Sequence, residues 1–475
     1  MSTAREEGFR VIDTADKGRV CVATRAVEAG DIIFEDKAFV YASELPTRCL
    51  ACCADDHGCT SCEKLRGGSG SALSCPPELV EGLDILADDM CDLDAVNTLD
   101  RARCFILCLL MRRKNSTALD PLMTLTAANI PRCLEAVREI RELMPGLFPA
   151  GFSDGAAAQV LGALNTNSHE LEQVEGSGLF LVACILEHNC TPNYRRAQIV
   201  FTYLGGTHGF TTYGDKIWLT AIRPVAEGDR LSIDYGNNFY MPTAGRRAEL
   251  EGTYEFVCSC DACTVLPDLC RVFRCPAKSC DSGKVCPKGD GGDSAEERSP
   301  KDWCCASCGY ECAGDECAGF LEAEEAFAEA LESAAGDGVG VEDIDRLVEE
   351  AKVIHPTHCA VFWALDATAK GLSAAGGTAA AAAAEVAWRR VAALADACLP
   401  EFHHEKVVYW DSLAQACVVT GDLKGAREAY GKAYRMSVTV SGADTQPTLD
   451  MKALMDKVPT SADELRARYS ADNKW

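Results

Sequence analysis

An α+β architecture is predicted by three features of this sequence. Short apolar or alternating runs broken by glycine turns fill residues 8–48 and return between 199 and 222, as strands would. From about Phe320 onward, acidic amphipathic and alanine-rich stretches follow a helical period. Between them lie cysteines in C-x2-C and C-x-C groups. At such spacings one turn can present several thiolates to a single metal ion.

A chain of 475 residues is long enough for two or three domains with sizeable cores. No apolar run is long enough to span a bilayer, and the N-terminus lacks a signal peptide's apolar core, so no membrane partner is expected. The 28 cysteines, closely spaced and without a secretory signal, favour reduced, metal-bound thiols and hence the cytoplasm or nucleus. A formal charge of -26 argues against general affinity for nucleic-acid phosphates and is compatible with basic peptide substrates.

In order, Phe9 to Ile12, Val20 to Ala23 and Ile32 to Phe34 read as strands, broken at Lys17-Gly18 and at Ala29-Gly30-Asp31. Cys49, Cys52, Cys59 and Cys62 form two C-x2-C knuckles for one zinc, with Cys53 and His57 as alternative ligands. A GGSGS run follows, leaving only Cys75 and Cys91 nearby. From Pro77 to Pro149 the pattern is helical. Cys104 to Leu110 is a dense apolar segment ending in Arg112, Arg113 and Lys114, and Leu134, Val137, Ile140 and Leu143 recur at helical spacing. Cysteines inside these helices read as small core hydrophobes.

Ile199 to Tyr203, Gly209 to Tyr213 and Ile217 to Ile222 read as strands, the first turn made by Gly205 and Gly206. RAVEAGDII at Arg25 to Ile33 is echoed by RPVAEGDRL at Arg223 to Leu231, two similar hairpin corners. Cys258, Cys260 and Cys263 then supply three thiolates, and Cys190 is the natural fourth ligand. Cys275-x4-Cys280 and Cys305-x2-Cys308 bracket an acidic, glycine-rich loop in zinc-ribbon fashion. Cys304 could replace Cys305 there, with Cys270, Cys286, Cys312 and Cys317 in surplus. Glu322 to Ser333, Glu342 to Val353 and the alanine run before Glu385 are helical. Trp410, Leu413, Ala416, Gly421, Leu423, Ala426, Tyr430 and Ala433 match one tetratricopeptide-like hairpin.

The ordered set EHNCTPN (Glu187 to Asn193), SIDYG (Ser232 to Gly236) and TYEFVCSCDAC (Thr253 to Cys263) resembles the SET domain of protein lysine methyltransferases, specifically the SET-and-MYND family. The resemblance covers most of the chain and is strongest from Asn165 to Cys263. It implies a SET-type β fold in which the two echoing corners belong to one intertwined unit. It also implies a post-SET zinc on Cys190, Cys258, Cys260 and Cys263, and S-adenosylmethionine held by Lys17, Gly18, Arg19, Asn167, Glu187 and His188. Tyr235 and Tyr254 take the places of the catalytic tyrosines, with His169 and Tyr235 at the lysine channel. The chain departs from the pattern at Val20, where a second glycine is expected, at His169, which replaces an aromatic residue, and at Glu187, which replaces an asparagine. Its MYND-like segment is shortened. Trp303, before the second ribbon knuckle, matches the arthropod-type members.

The resemblance divides the chain into 1–48, the first part of the SET domain; 49–75, a MYND-like zinc segment; 76–150, a helical insert; 151–256, the SET core; 257–317, the post-SET and ribbon cysteines; and 318–475, a helical tetratricopeptide-like region. The expected function is S-adenosylmethionine-dependent methylation of lysine in a basic segment of a histone or other protein, by a monomeric enzyme. Two readings compete with it. One is a weak or silent SET protein acting as a zinc-stabilised interaction or transcriptional-regulator module. The other is a purely structural zinc and helical-repeat scaffold.

Overall fold

The computed structural model describes residues 8–50, 53, 73, 75–171, 174–190, 211–235, 240–264, 267–287, 303–335 and 340–469, apart from single positions within these ranges. Cys52, His57, Cys59, Cys62, Ile199 to Tyr203, the Gly205-Gly206 turn and the acidic ribbon loop lie outside the described residues.

The first strands are β1 (Phe9–Thr14), β2 (Gly18–Ala23), β3 (Ile32–Lys37) and β4 (Val40–Ser43). After the helical insert come β5 (Ser168–Leu171), β6 (Gly176–Leu179), β7 (Glu187–His188), β8 (Thr211–Tyr213), β9 (Lys216–Thr220) and β10 (Ser232–Ile233). They form a β1-β2 hairpin, the sheets β3-β9-β8 and β4-β6-β5, and a short β7-β10 pair, the last parallel and the others antiparallel. The two three-stranded sheets therefore each join chain from both sides of the helical insert. A Cβ on Gly176 would stand 2.0 Å from the Ala42 carbonyl oxygen, so only glycine lets β6 approach β4 this closely.

The two echoing corners fold against each other. Val27 and Val225 exchange backbone hydrogen bonds of 2.9 and 2.8 Å, the centre of a local two-fold arrangement. Around it, Gly30 N–H donates to Ala221 O and Ala221 N–H to Asp31 O, while Gly228 N–H donates to Ala23 O and Ala23 N–H to Asp229 O. Gly30 and Gly228 both take positive φ, +92° and +87°. Asp31 and Asp229 each accept a backbone N–H from the residue three before, Glu28 at 3.2 Å and Ala226 at 2.7 Å. The likeness in sequence is thus a likeness of two halves that pair, and it closes the β core around Cys21, Val27, Phe34, Phe180, Leu219, Val225 and Leu231.

The insert comprises α1 (Pro77–Val80), α2 (Leu83–Cys91), α3 (Leu99–Lys114), α4 (Ile130–Leu143) and α5 (Asp154–Asn167). Residues 102–110 of α3 are all buried, and Cys104 and Cys108 are free thiols at 0 % exposure, packed as hydrophobes. The buried stripe of α4 is Cys133, Ala136, Val137 and Ile140. Leu143 was expected in this stripe but is 56 % exposed, because the next step of the period falls on Met144, which packs against the same core.

Two helices follow the β core, α6 (Thr243–Tyr254) and α7 (Asp261–Thr264); the sequence pattern had given neither. A four-stranded ribbon, β11 (Phe273–Arg274), β12 (Lys284–Pro287), β13 (Trp303–Cys305) and β14 (Glu311–Cys312), pairs in sequential order. The helices α8 (Gly314–Ala335), α9 (Val341–Ala351), α10 (Cys359–Ala375), α11 (Thr378–Cys398), α12 (His404–Thr420), α13 (Leu423–Val440), α14 (Gln446–Asp456) and α15 (Ala462–Arg468) complete the chain. Phe320 of α8 stacks on Phe273 and Trp303 of the ribbon at 4.9 and 5.7 Å, so ribbon and helices share one core. In the α12-α13 hairpin Gly421 takes φ +86° at the turn, and Leu413, Ala416, Ala426, Tyr430 and Ala433 are buried as their spacing requires. Leu423, the first residue of α13, is instead 38 % exposed. Among the described residues no helix is long and apolar enough to cross a membrane.

Candidate active site and metal centres

A cavity of about 390 Å³ opens where β2, the end of α5, the segment before β7 and the end of α6 converge. Its size falls within the ~300–1,000 Å³ usual for small-molecule sites. Lys17 and Arg19 line it from the hairpin, Thr166 to His169 from α5 and β5, Ala183 to His188 from the crossing segment, and Tyr235, Tyr254, Glu255 and Phe256 from the far side. Gly18, between the two basic residues, has φ +68°, which turns the hairpin toward the cavity. Val20 is fully buried, so the side chain at the second glycine position packs into the interior, away from the cavity.

The crossing segment is set by a buried carboxylate. Asp36 Oδ2 accepts the backbone N–H groups of Val182 and Ala183 at 2.8 and 3.1 Å. Asn167 donates both amide hydrogens to backbone carbonyls, Thr126 O and Ala163 O, each at 2.8 Å, so it offers the cavity its carbonyl oxygen. Ser168 Oγ is shielded from solvent with no hydrogen-bond partner among the described residues. His169 lines the cavity while largely buried, its ring 6.0 Å from Phe180. Glu187 lies 3.5 Å from the Arg230 guanidinium, an ion pair at the cavity wall.

Tyr235 and Tyr254 stand with ring centroids 5.1 Å apart, and Phe256 meets Tyr235 edge-on at 6.2 Å. Tyr235 donates its hydroxyl to Leu186 O at 2.5 Å, and Tyr254 donates to Tyr235 O at 3.0 Å. Burial pushes the Tyr254 phenol up to about 12 and raises Tyr235 as well, so both stay protonated donors near neutrality. Tyr254 ends α6, and Glu255, at φ +59°, turns the chain so that Phe256 faces back into the cavity. Glu255 also accepts the Asn129 N–H at 3.0 Å, tying this turn to the helical insert. Sequence reasoning missed Phe256, two residues beyond Tyr254, and Cys184, whose thiol burial pushes up to about 12.

Beside the tyrosines, the sulfurs of Cys190, Cys258, Cys260 and Cys263 lie within 4.8 Å of one another, with Cys190 3.6 Å from Cys258 and 3.5 Å from Cys263. A tetrahedron with zinc–sulfur bonds of ~2.3 Å has edges of about 3.8 Å, so the cluster fits zinc. Shared hydrogen bonds among the thiols raise Cys190 and Cys258 and lower Cys260 and Cys263. Two buried arginines hold the loop from α6: Arg247 donates to Cys258 O and Cys263 O, both at 3.0 Å, and Arg246 reaches Cys263 Sγ at 3.7 Å. On the cavity side His188 Nε2 is 3.1 Å from Cys190 Sγ, and its Nδ1 accepts the Tyr235 N–H at 3.1 Å. Burial lowers this imidazole to about 4, keeping it neutral.

The ribbon cluster also fits zinc. Cys275–Cys308 and Cys280–Cys305 are 3.7 and 3.8 Å apart, and Cys305 rather than Cys304 belongs to the set. The Cys305 thiol is lowered to about 7; burial raises it, and the backbone N–H groups of Cys308 and Ser307 outweigh that. A Cβ on Gly283 would lie 2.3 Å from Cys280 Sγ and 2.7 Å from Cys305 Sγ. In the first two-knuckle set, Cys49 is buried while Cys52, Cys59 and Cys62 lie outside the described residues.

A family model described as SET domain matches residues 18–236. N-lysine methyltransferase SMYD2-A of Xenopus laevis is 25% identical over 284 residues, 54% of this chain and 61% of that protein. SET domain-containing protein SmydA-8, isoform B, of Drosophila melanogaster is 25% identical over 296 residues, 54% of this chain and 58% of that protein. The chain therefore spans about three fifths of the length of these relatives. A crystal structure titled as the SET domain of LSMT bound to lysine and AdoHcy aligns with 99% of this chain and 84% of its own, at 14% identity and a TM-score of 0.27. Fold, cavity and family match together define a SET-domain protein. The relatives it matches include N-lysine methyltransferases and a SET domain-containing protein, each similar to about half of this chain.

Proposed function

We propose that this chain is a protein-lysine N-methyltransferase that uses S-adenosylmethionine. The observation that carries the reading is the pair of half-buried tyrosines, each donating its hydroxyl to a backbone carbonyl, at one end of a cavity whose other end is basic and polar. The cavity suits a ligand with both charges. Lys17 and Arg19 would face a carboxylate, the carbonyl oxygen of Asn167 and the Ser168 hydroxyl would meet an ammonium, and the backbone at Glu187 and His188 would border the base. S-adenosylmethionine bound there supplies a methyl group on a sulfonium.

The rest of the chemistry falls to the protein. Lysine has an ordinary pKa near 10.4, so exposing its neutral amine at pH 7 costs roughly 4–5 kcal/mol. Walls such as Tyr235, Tyr254 and Phe256 exclude water and disfavour the ammonium form. They also hold the amine in line, which lowers the barrier further. Tyr235 and Tyr254 would orient the amine without competing as nucleophiles, and His169 would border the lysine channel. The net charge of -26 supports a substrate whose lysine lies in a basic segment, and sulfurs at metal-ligand rather than disulfide spacing support a reducing compartment, cytoplasm or nucleus.

Tyr254→Phe tests the reading. Turnover on a basic lysine peptide should fall at least about a hundredfold while S-adenosylmethionine affinity stays within about threefold, the pattern of an interaction made mainly in the transition state. Parallel loss of affinity and rate would assign Tyr254 to packing. Absence of cofactor binding in the wild type would favour a silent interaction module.

A further inference from the structure

We infer that His188 is a positioning residue that couples the post-SET metal cluster to the cavity, so that ligand in the cavity and metal in the cluster stabilise each other. The inference rests on the proposed cofactor site for its ligand and on the local geometry for the relay itself. His188 is 7 % exposed and sits on β7, whose parallel pairing with β10 sets it opposite Ile233. Its Nδ1 accepts the Tyr235 backbone N–H at 3.1 Å, so in the neutral ring the hydrogen is on Nε2. That hydrogen points at Cys190 Sγ, 3.1 Å away. Asp234 Oδ1 is 3.7 Å from Nδ1, beyond hydrogen-bonding distance.

A metal-bound thiolate is a strong acceptor, and the groups that hydrogen-bond it tune its affinity for metal. The same ring that donates to this thiolate holds the backbone of Tyr235, and Tyr254 donates its hydroxyl to the carbonyl of that same residue. The Cys190 thiol, the imidazole and both cavity tyrosines thus form one continuous set of contacts. Ligand that fixes the tyrosines fixes the imidazole, and by linkage must raise the affinity for metal by the factor by which metal raises the affinity for ligand. Arg246 approaches the cluster from α6, on the side of Cys263, and gives no such path to the cavity.

Two substitutions divide the relay. His188→Asn keeps an acceptor near the Nδ1 position and removes the donor to Cys190; His188→Gln keeps a donor near Nε2 and removes the acceptor. The test uses the zinc-loaded full chain, with a chromogenic chelator to follow zinc loss and hydrogen exchange to follow the Tyr235 amide. His188→Asn should lose one zinc equivalent about ten- to a hundredfold faster, with the Tyr235 amide still protected. His188→Gln should retain zinc while that amide exchanges about tenfold faster. In the wild type, S-adenosylhomocysteine should raise the affinity for one zinc equivalent, read as its equilibrium partition against the chelator, by about fivefold or more, and in neither variant should it do so. If calorimetry shows the wild type binding this ligand with no change in zinc affinity, the coupling is overturned. If the wild type binds no ligand, the cofactor reading falls and the variants still decide the relay: indistinguishable zinc loss and Tyr235 exchange in all three proteins would overturn it.

Discussion

Cys190, Cys258, Cys260 and Cys263 form a cluster set against the cavity, whereas Cys275, Cys280, Cys305 and Cys308 form one in a ribbon that packs on the C-terminal helices. The donors are the same, and the surroundings differ. The first is largely buried, held by two interior arginines, and joined through His188 to Tyr235. The second has an exposed cysteine, Cys308, takes its hydrogen bonds from knuckle backbone, and is closed by a glycine with no room for a Cβ. Its neighbours are aromatic: Phe273 and Trp303 stack on Phe320 of α8. Identical thiolate sets can therefore serve different ends. One borders the cavity, and the other packs with the C-terminal helices in one core.

The comparison breaks most visibly when one thiolate is removed from each cluster. Structural zinc contributes on the order of 10–16 kcal/mol in small modules. Cys260→Ser and Cys308→Ser should each lower the zinc content by one equivalent in elemental analysis, from at least two in the wild type. Only Cys260→Ser should disturb the cavity, read as faster hydrogen exchange in residues 232–235. Cys308→Ser should instead loosen the contact between β11 and α8. Equal effects of both substitutions on the cavity would remove the distinction.

A smaller effect is expected from Gly283→Ala. The added methyl group would overlap Cys280 Sγ and Cys305 Sγ, costing about 1–3 kcal/mol by overpacking and weakening the ribbon metal alone. Thermal unfolding with and without a chelator measures it, and unchanged stability would show that the ribbon adjusts.

The cysteine spacings and the ordered motifs made both clusters and the two tyrosines legible in the sequence, because their chemistry is carried by residue type and short separations. The pairing of the two corners was legible as an echo, since the same turn chemistry is needed on both sides of a local two-fold. What the sequence hid depends on distant partners. Arg246 and Arg247 look like surface charges on α6 until the loop of Cys258 to Cys263 folds over them. Phe256 enters the cavity only because Glu255 takes positive φ after a helix that periodicity did not reveal. Leu143 fits a helical stripe by spacing, yet the helix ends there and the half-buried Met144 packs against the core in its stead.

The smallest effect concerns Glu187, where the family pattern has asparagine. From the sequence alone, a glutamate in that place is expected to weaken cofactor binding and Glu187→Asn to improve it, unless the glutamate pairs with an arginine. The ion pair with Arg230 changes that expectation: the carboxylate is already held at the wall, and Arg230 remains partly solvated without it. Glu187→Asn should alter S-adenosylmethionine affinity by less than about threefold, under ~0.7 kcal/mol. A tenfold gain in calorimetry would mean that the carboxylate opposes the ligand.

The central claim is that the cavity beside the buried cluster binds S-adenosylmethionine, and that this cluster rather than the ribbon maintains it. Calorimetric titration of S-adenosylmethionine into the zinc-loaded wild type, Cys260→Ser and Cys308→Ser tests it most directly. One site is expected in the wild type, the same site within about threefold in affinity in Cys308→Ser, and none in folded Cys260→Ser. No binding to the zinc-loaded wild type, or equal binding by all three proteins, would contradict it.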